Sequence, residues 1–361
     1  MSVYHILPTL SHGDAVGNDT RALNILLAGM GYRSRIYAER MNPVFEGSVA
    51  HSTRELPATC PDDLLIYHFS TGDALNLRFA AMPGKKLMIY HNITPAEFFE
   101  PYAPGAAALT RAGYEQAAYL ADKVDYCIAD SDYNRSELRR MGYACPIDVV
   151  PILIPFEDYR RAPDPAVSKK YRDGRTNLLF VGRVAPNKRQ EDVIRAFACY
   201  QQNYDPEARL FLLGSFDAED RYYRSLRQYI ARLKVRNVLF PGHIRFSEVL
   251  AYYAVSDLFL CMSDHEGFCV PLVEAMCFGK PIVAKVTTAV GETMGGGGLP
   301  LTDNDPRTAA AAVHRLLTDA PLREAILAAQ KRRLDDFGYE KVAGQFRESF
   351  GRFLAHVEMT K

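Results

Sequence analysis

The chain has 361 residues, 48% hydrophobic and 24% charged, a globular composition too long for one comfortable core and suited to two domains. Lys plus Arg and Asp plus Glu number 43 each, so no net field draws the molecule to a polyanion, and nucleic acid is excluded as a partner. Seven scattered cysteines without a CxxC pair read as free thiols of a reducing compartment, and no apolar run reaches spanning length, so the expected setting is cytoplasmic.

Residues 3–7 form an apolar run that reads as a strand. A loop with two glycines, Gly13 and Gly17, follows, and a helix is expected over 20–30 with Asp19 as its N-cap. A strand at 34–38 completes a β-loop-α-β unit, the opening of a doubly wound parallel sheet. The loop is not GxGxxG and the second strand ends without a lone acid for a ribose, which argues against a dinucleotide site. Strands at 64–68 and 86–91 each close on a histidine, His68 and His91, where an open sheet presents its strand ends to a ligand. For His68 a merely structural, hydrogen-bonded histidine is the competing reading. A helix at 105–121, a strand at 126–129, a helix at 132–141 capped by Asp130 or Ser131, and a strand at 148–151 lead to a proline-bearing stretch, 151–165, the expected domain boundary.

The alternation then restarts. Strands are expected at 177–181, 209–214, 238–241, 258–261 and 282–284, with helices at 190–201, 220–233, 246–254 and 272–278. Three last helices, 306–318, 322–334 and 339–357, have no strand left to cover, and the final one is long enough to return to the first domain. The expected division is therefore 1–155 together with 339–361, and 156–338.

Two turns of the second half carry chemistry. The loop after residue 181 places Gly182, Arg183 and Lys188 at a βα turn, where Arg grips phosphate oxygens as a fork and Lys acts as a point charge. It lacks the GKS or GKT of a P-loop. The stretch 259–284 runs strand, acidic turn, helix start, and unpaired N–H groups at a helix start suit phosphates. Glu266 and Glu274 bracket that turn, and a carboxylate beside a diphosphate suits the vicinal hydroxyls of a sugar. A nucleotide sugar, with one carboxylate per ring, is the ligand these residues suggest.

GRVAPNKRQ followed by EGFCVPLVEAMCFGKPIVA resembles the large retaining family of GT-B glycosyltransferases that includes mannosyl- and glucosyltransferases of bacterial surface polysaccharides. Its marks, G-R-x4-K and E-x7-E, stand here as Gly182-Arg183…Lys188 and Glu266…Glu274. The resemblance implies two Rossmann-like domains facing across a cleft, with the C-terminal helix returning to the N-terminal, acceptor-side domain. It implies that Arg183 and Lys188 hold the donor diphosphate as it leaves, that Glu266 meets the donor sugar near the reacting carbon, and that Glu274 takes the ribose hydroxyls. It further implies that the N–H groups of Phe268, Cys269 and Val270 face sugar and phosphates, and that Gly242, His243 and Ile244 lie beside the base. Gly13 to Gly17 would be the loop closing over the donor, and His91 the family histidine near the anomeric centre.

The implied reaction is hexosyl transfer with retention, from GDP- or UDP-hexose, with a lean to mannose from the run YHNITPAEFF at 90–99, to a glycan or polyprenyl-linked acceptor. No cofactor and no metal are expected. The D-x-D of residues 130–132 sits at a helix start, where it reads as a cap. A lipid-linked acceptor would imply peripheral contact with the inner face of the membrane, and the basic run 221–236 would suit either anionic lipid or solvent. Two departures from the family are the run PILIP at 151–155, in place of an Asn-Gly turn, and the glycine tract 295–298, in place of Pro-Glu and a helix, with Glu292 keeping the acidic position. A nucleotide-sugar 2-epimerase and a non-catalytic glycan-binding scaffold are the competing functions.

Overall fold

The computed structural model describes residues 2–11 and 13–359, so position 12 of the expected donor loop and the last two residues of the chain lie outside them. Two compact units emerge. The first runs through Glu97, resumes over Gly105–Pro155 and takes in the chain from Phe337; the second comprises Phe98–Pro104 and Phe156–Asp336.

The first unit is a seven-stranded parallel sheet. Its strands are β1 (Ser2–Leu10), β2 (Arg33–Met41), β3 (His51–Ser52), β4 (Leu64–Phe69), β5 (Lys85–Tyr90), β6 (Tyr126–Ala129) and β7 (Ile147–Val149). The order is β3-β2-β1-β4-β5-β6-β7, so the winding reverses between β1 and β4. The helix Tyr339–Met359 does return to this unit. Val342, Ala343, Phe346, Phe350, Phe353 and Val357 fall at three- and four-residue spacings and bury one stripe against Val3, Ile66, Leu87 and Ile128. A fully buried Phe contributes about 1.5–3 kcal/mol of transfer free energy, so this stripe is a main anchor of the unit.

The second unit is a six-stranded parallel sheet of β8 (Asn177–Val181), β9 (Arg209–Leu213), β10 (Val238–Gly242), β11 (Leu258–Cys261), β12 (Ile282–Lys285) and β13 (Leu299–Leu301). Its order is β10-β9-β8-β11-β12-β13, and the winding reverses between β8 and β11. The two turns with the strongest chemistry thus follow the two strands flanking the switch point, where ligands of such sheets bind.

Three expectations need correction. The first helix is Ala15–Gly29, not 20–30, because Asp14 caps it by accepting the Gly17 N–H; Asp19 lies buried in the helix and accepts the Leu153 N–H instead. The helix Pro306–Thr318 has a sheet to cover after all, since Ala309, Ala310, Val313 and Leu316 are buried in the core of the second unit. The glycine tract is preceded by a short helix, Val290–Met294, which contains Glu292. A side chain on Gly298 would meet Met294 Sδ at 2.7 Å and Ile282 O at 3.0 Å, so close packing explains that glycine.

Candidate active site

In the second unit, the turn after β11 is pinned from both sides. Asn187 Nδ2 donates to His265 O at 3.1 Å, and the Asp264 N–H donates to Asn187 O at 2.9 Å, tying it to the turn after β8. On the other side the Glu266 N–H donates to Thr288 Oγ1 at 2.9 Å, and Thr287 Oγ1 donates to Ser263 O at 2.7 Å. Asp264 accepts from Lys285 at 2.5 Å and from Arg189 at 3.3 Å. Gly214, after β9, supports the same edge: a Cβ there would fall 2.1 Å from Gly182 O, so only glycine lets the two loops touch.

Lys188 and Glu266 meet. Lys188 Nζ lies 2.5 Å from Glu266 Oε2, with the Glu266 side chain 7% exposed and that of Lys188 23%. Burial pulls the Lys188 ammonium down, but the charge and hydrogen bond of Glu266 together with Cys269 and Cys261 outweigh it and hold the group above its ordinary value. Arg183 is exposed and its side chain has no acidic partner among the described residues. The turn therefore offers one open cation and one neutralised by a carboxylate.

The helix Val270–Cys277 starts at Cys269, which adopts a left-handed conformation at φ 74°. Phe268 and Cys269 are buried, and Thr293 donates to Phe268 O, so the chain entering the helix is fixed. This first turn carries N–H groups without intrahelical partners. Glu274, one turn on, accepts Tyr159 Oη at 2.7 Å on Oε1 and Tyr253 Oη at 2.6 Å on Oε2. Burial pushes its carboxyl up, and the two phenols work against that rise. Gly242 ends β10 at φ 81°, His243 is exposed and Ile244 packs on the core. All these positions lie on the carboxyl edge of one sheet.

In the first unit, the chemistry is a file of imidazoles. His5 Nδ1 lies 2.9 Å from His68 Nε2, His68 Nδ1 lies 3.0 Å from His91 Nε2, and His91 Nδ1 lies 2.9 Å from Asp130 Oδ2. Ring centroids are 5.3 Å apart in both histidine pairs although the nitrogens are so close, so the rings meet edge to edge in line. Asp19, His68 and His91 each place one ligand atom within 4.8 Å of the others, but the two nitrogens share a proton head-on and do not converge on a third point.

The proton positions follow from the ends of the file. Asp130 as a carboxylate only accepts, so His91 donates from Nδ1, His68 donates from Nδ1 to His91, and His5 donates from Nδ1 to His68. His5 Nε2 is left as a buried lone pair without a partner among the described residues. Burial drives the His5 imidazole down to about 3 and holds His68 well below its ordinary value. It also pulls His91 down, but Asp130 outweighs it and raises that group. Asp19 is raised by burial to about 7. Both ring nitrogens of His91 are thus engaged within the unit, and its side chain is 1% exposed.

Gly17 is likewise not in an open loop, since its N–H belongs to the Asp14 cap. Gly13, at φ 73°, remains in the turn before that helix. Ser131, not a metal ligand pair, caps the helix Asp132–Arg140 by accepting the Asn134 N–H. Sequence reading missed Asp14, Tyr159 and Tyr253. Asp14 could have been found from the Asp-to-helix spacing, whereas the tyrosines are distant in sequence from the glutamate they hold.

Known proteins share this arrangement. Residues 166–333 match the family Glycosyl transferases group 1. The match covers most of the second unit, and the chain resembles that family. A D-inositol 3-phosphate glycosyltransferase of Kineococcus radiotolerans is 27% identical over 66% of this chain and 59% of its own length. The O-antigen chain mannosyltransferase B of Escherichia coli is 26% identical over 62% of this chain and 60% of its own length, so the match spans about three fifths of these curated relatives. Anabaena Alr3699/HepE, solved in complex with UDP and glucose, superposes with a TM-score of 0.76 at 19% identity, covering 96% of this chain and 99% of its own. The fold is GT-B, two parallel-sheet Rossmann-like domains.

Proposed function

We propose that the chain is a group 1 glycosyltransferase, a retaining, metal-independent hexosyltransferase that uses a GDP- or UDP-hexose, mannose by preference, and a glycan or polyprenyl-linked acceptor. The observation that carries the reading is the pairing of Lys188 with Glu266 beside the switch point of one sheet, with Arg183 on the loop of Lys188 and Glu274 on the helix after Glu266: two cations for a diphosphate and two carboxylates for sugar hydroxyls. The named mannosyltransferase relative supports the sugar, and the bound UDP of the structural neighbour supports a nucleotide donor.

The chemistry follows from charge. Cleaving the donor's glycosidic bond places a further negative charge on the diphosphate and leaves an oxocarbenium-like ring. A unit charge pair at 4 Å is worth about 4 kcal/mol at an effective dielectric of 20, so two cations and a helix start offset much of the leaving-group cost. The acceptor hydroxyl attacks the face that the phosphate leaves, gives its proton to a departing phosphate oxygen, and retention results without a separate base. His91, with both nitrogens engaged, contributes by fixing the end of its strand. Incubation of the purified protein with GDP-mannose and a polyprenyl-linked glycan, with and without EDTA, tests this. Transfer with the donor's anomeric configuration, undiminished by EDTA, is expected; epimerisation of the donor without acceptor, or inversion, would overturn the reading. A peripheral membrane location follows only if that acceptor is used.

A further inference from the structure

Glu274 sits in an apolar setting, with Leu272, Val273, Ala275 and Met276 of its own helix all buried. A carboxylate there needs donors, and it has two from remote parts of the chain. Tyr159 comes from the short 3-10 turn Phe156–Arg160 that opens the second unit, and Tyr253 from the helix Phe246–Val255. Their contacts, 2.7 and 2.6 Å, fall at or close to the short range of a hydroxyl donating to an ionised oxygen. Neither phenol can swing freely. Tyr253 stacks on Phe278 with centroids 5.0 Å apart and planes 7° apart, and Tyr159 meets Phe246 edge-on at 5.4 Å. Both phenols are themselves pushed above their ordinary range by burial and by Glu274, so they stay protonated donors.

A carboxylate has about four acceptor positions, and the phenols occupy one on each oxygen. The one left on each oxygen is the spacing that a vicinal diol fills. We propose that Tyr159 and Tyr253 are positioning residues that keep Glu274 ionised and fixed in plane, and thereby set a preference for ribonucleotides over 2′-deoxyribonucleotides in the donor. The inference rests on the reading that Glu274 takes the ribose. Cys277, on the same helix, is the other titratable group facing this carboxylate, and burial raises its thiol, so it stays neutral.

Calorimetric titration of the full chain with GDP, dGDP, UDP and dUDP tests the proposal in wild type, Tyr159→Phe, Tyr253→Phe and Glu274→Gln. Each Tyr→Phe change should lower affinity for the ribonucleotide about tenfold, the worth of a hydrogen bond to a charged group, with the deoxy form little changed. The ribo-to-deoxy ratio should collapse in Glu274→Gln. Losing a donor raises the Glu274 carboxyl further, so ribonucleotide affinity in the Phe variants should fall more steeply than in wild type as pH is lowered. Turnover at saturating donor should be unchanged, with the loss confined to KM. If the diphosphates bind and both Phe variants keep the wild-type ratio and the wild-type pH profile, the positioning role is overturned while the donor site stands. If neither GDP nor UDP binds wild type, the donor site itself falls and the inference with it. Should Tyr159→Phe fail to fold, Tyr253→Phe alone decides.

Discussion

Replacing His5 by Asn should make the first unit less sensitive to acid. Asn keeps an N–H close to where Nδ1 donates to His68 but cannot be protonated. In the wild type the folded His5 titrates near 3 against an ordinary 6.5, so between these values the unfolded chain binds a proton that the folded chain refuses. Stability contributed by neutral His5 is fully present above about pH 6.5 and is lost as pH falls toward 3. From about pH 7 to about pH 5 the loss is about 2 kcal/mol, taking 1.36 kcal/mol per pH unit below the unfolded value. His68 acts in the same direction, and His91, raised by Asp130, acts in the opposite one, so the difference between variant and wild type isolates His5. The cavity left by the smaller side chain shifts both pH values equally and cancels in the slope. Hydrogen exchange of the slowest β1 and β4 amides, corrected for intrinsic rates, reads it directly: protection in wild type should fall about 30-fold more than in His5→Asn over that interval. Parallel slopes would refute the buried neutral file.

Lys188→Ala should lower turnover about 10²-fold by analogy with losing an oxyanion donor, and by stranding buried Glu266 it should cost about 3–5 kcal/mol of stability. Adding Glu266→Gln should restore the melting temperature but not the rate; recovery of rate would show that Lys188 serves stability alone. Glu266→Gln by itself should reduce kcat and kcat/KM together, about 10²-fold, with donor KM near wild type, and steady-state kinetics decide it. Gly214→Ala should force the Gly182 loop away, at about 1–3 kcal/mol of overpacking, and calorimetry should show weaker nucleotide binding. Unchanged affinity would mean that the loop contact does not shape the donor site.

The strands were the most legible part of the fold. Residues 126–129, 177–181 and 258–261 are short apolar runs buried on both faces, and the structure returns them with the same bounds. Ends defined by hydrogen bonds rather than by apolar pattern were less legible. Asp19 and Asp14 are both plausible caps on composition, and only the Gly17 N–H decides between them. At the site, Arg183, Lys188, Glu266 and Glu274 stand out because their motif lies within two continuous stretches. That Lys188 and Glu266 pair and that His5 continues a file ending at Asp130 depend on strand order, through the β8-β11 and β1-β4-β5-β6 adjacencies. That Tyr159 and Tyr253 hold Glu274 depends on the turn Phe156–Arg160 and the helix Phe246–Val255 meeting the helix Val270–Cys277, and no spacing in the chain encodes any of these contacts.

In the proposed reaction, the Lys188–Glu266 pair bears on where the catalytic charge would come from. Before the proposed donor binds, the two charges offset each other, so on this reading the turn would attract a diphosphate chiefly through Arg183 and the helix start. Lys188 has three N–H donors and gives one to Glu266, so it can add a phosphate oxygen without releasing the carboxylate. As the donor bond breaks, negative charge grows on the phosphate side and positive charge on the sugar. Lys188 then gains from leaning to the first and Glu266 from leaning to the second. Charges that offset each other at rest are drawn apart only in the transition state, which is the condition for stabilising it more than the bound donor. This is why Glu266→Gln, which keeps an oxygen near Lys188 but removes the charge, should touch kcat while sparing KM.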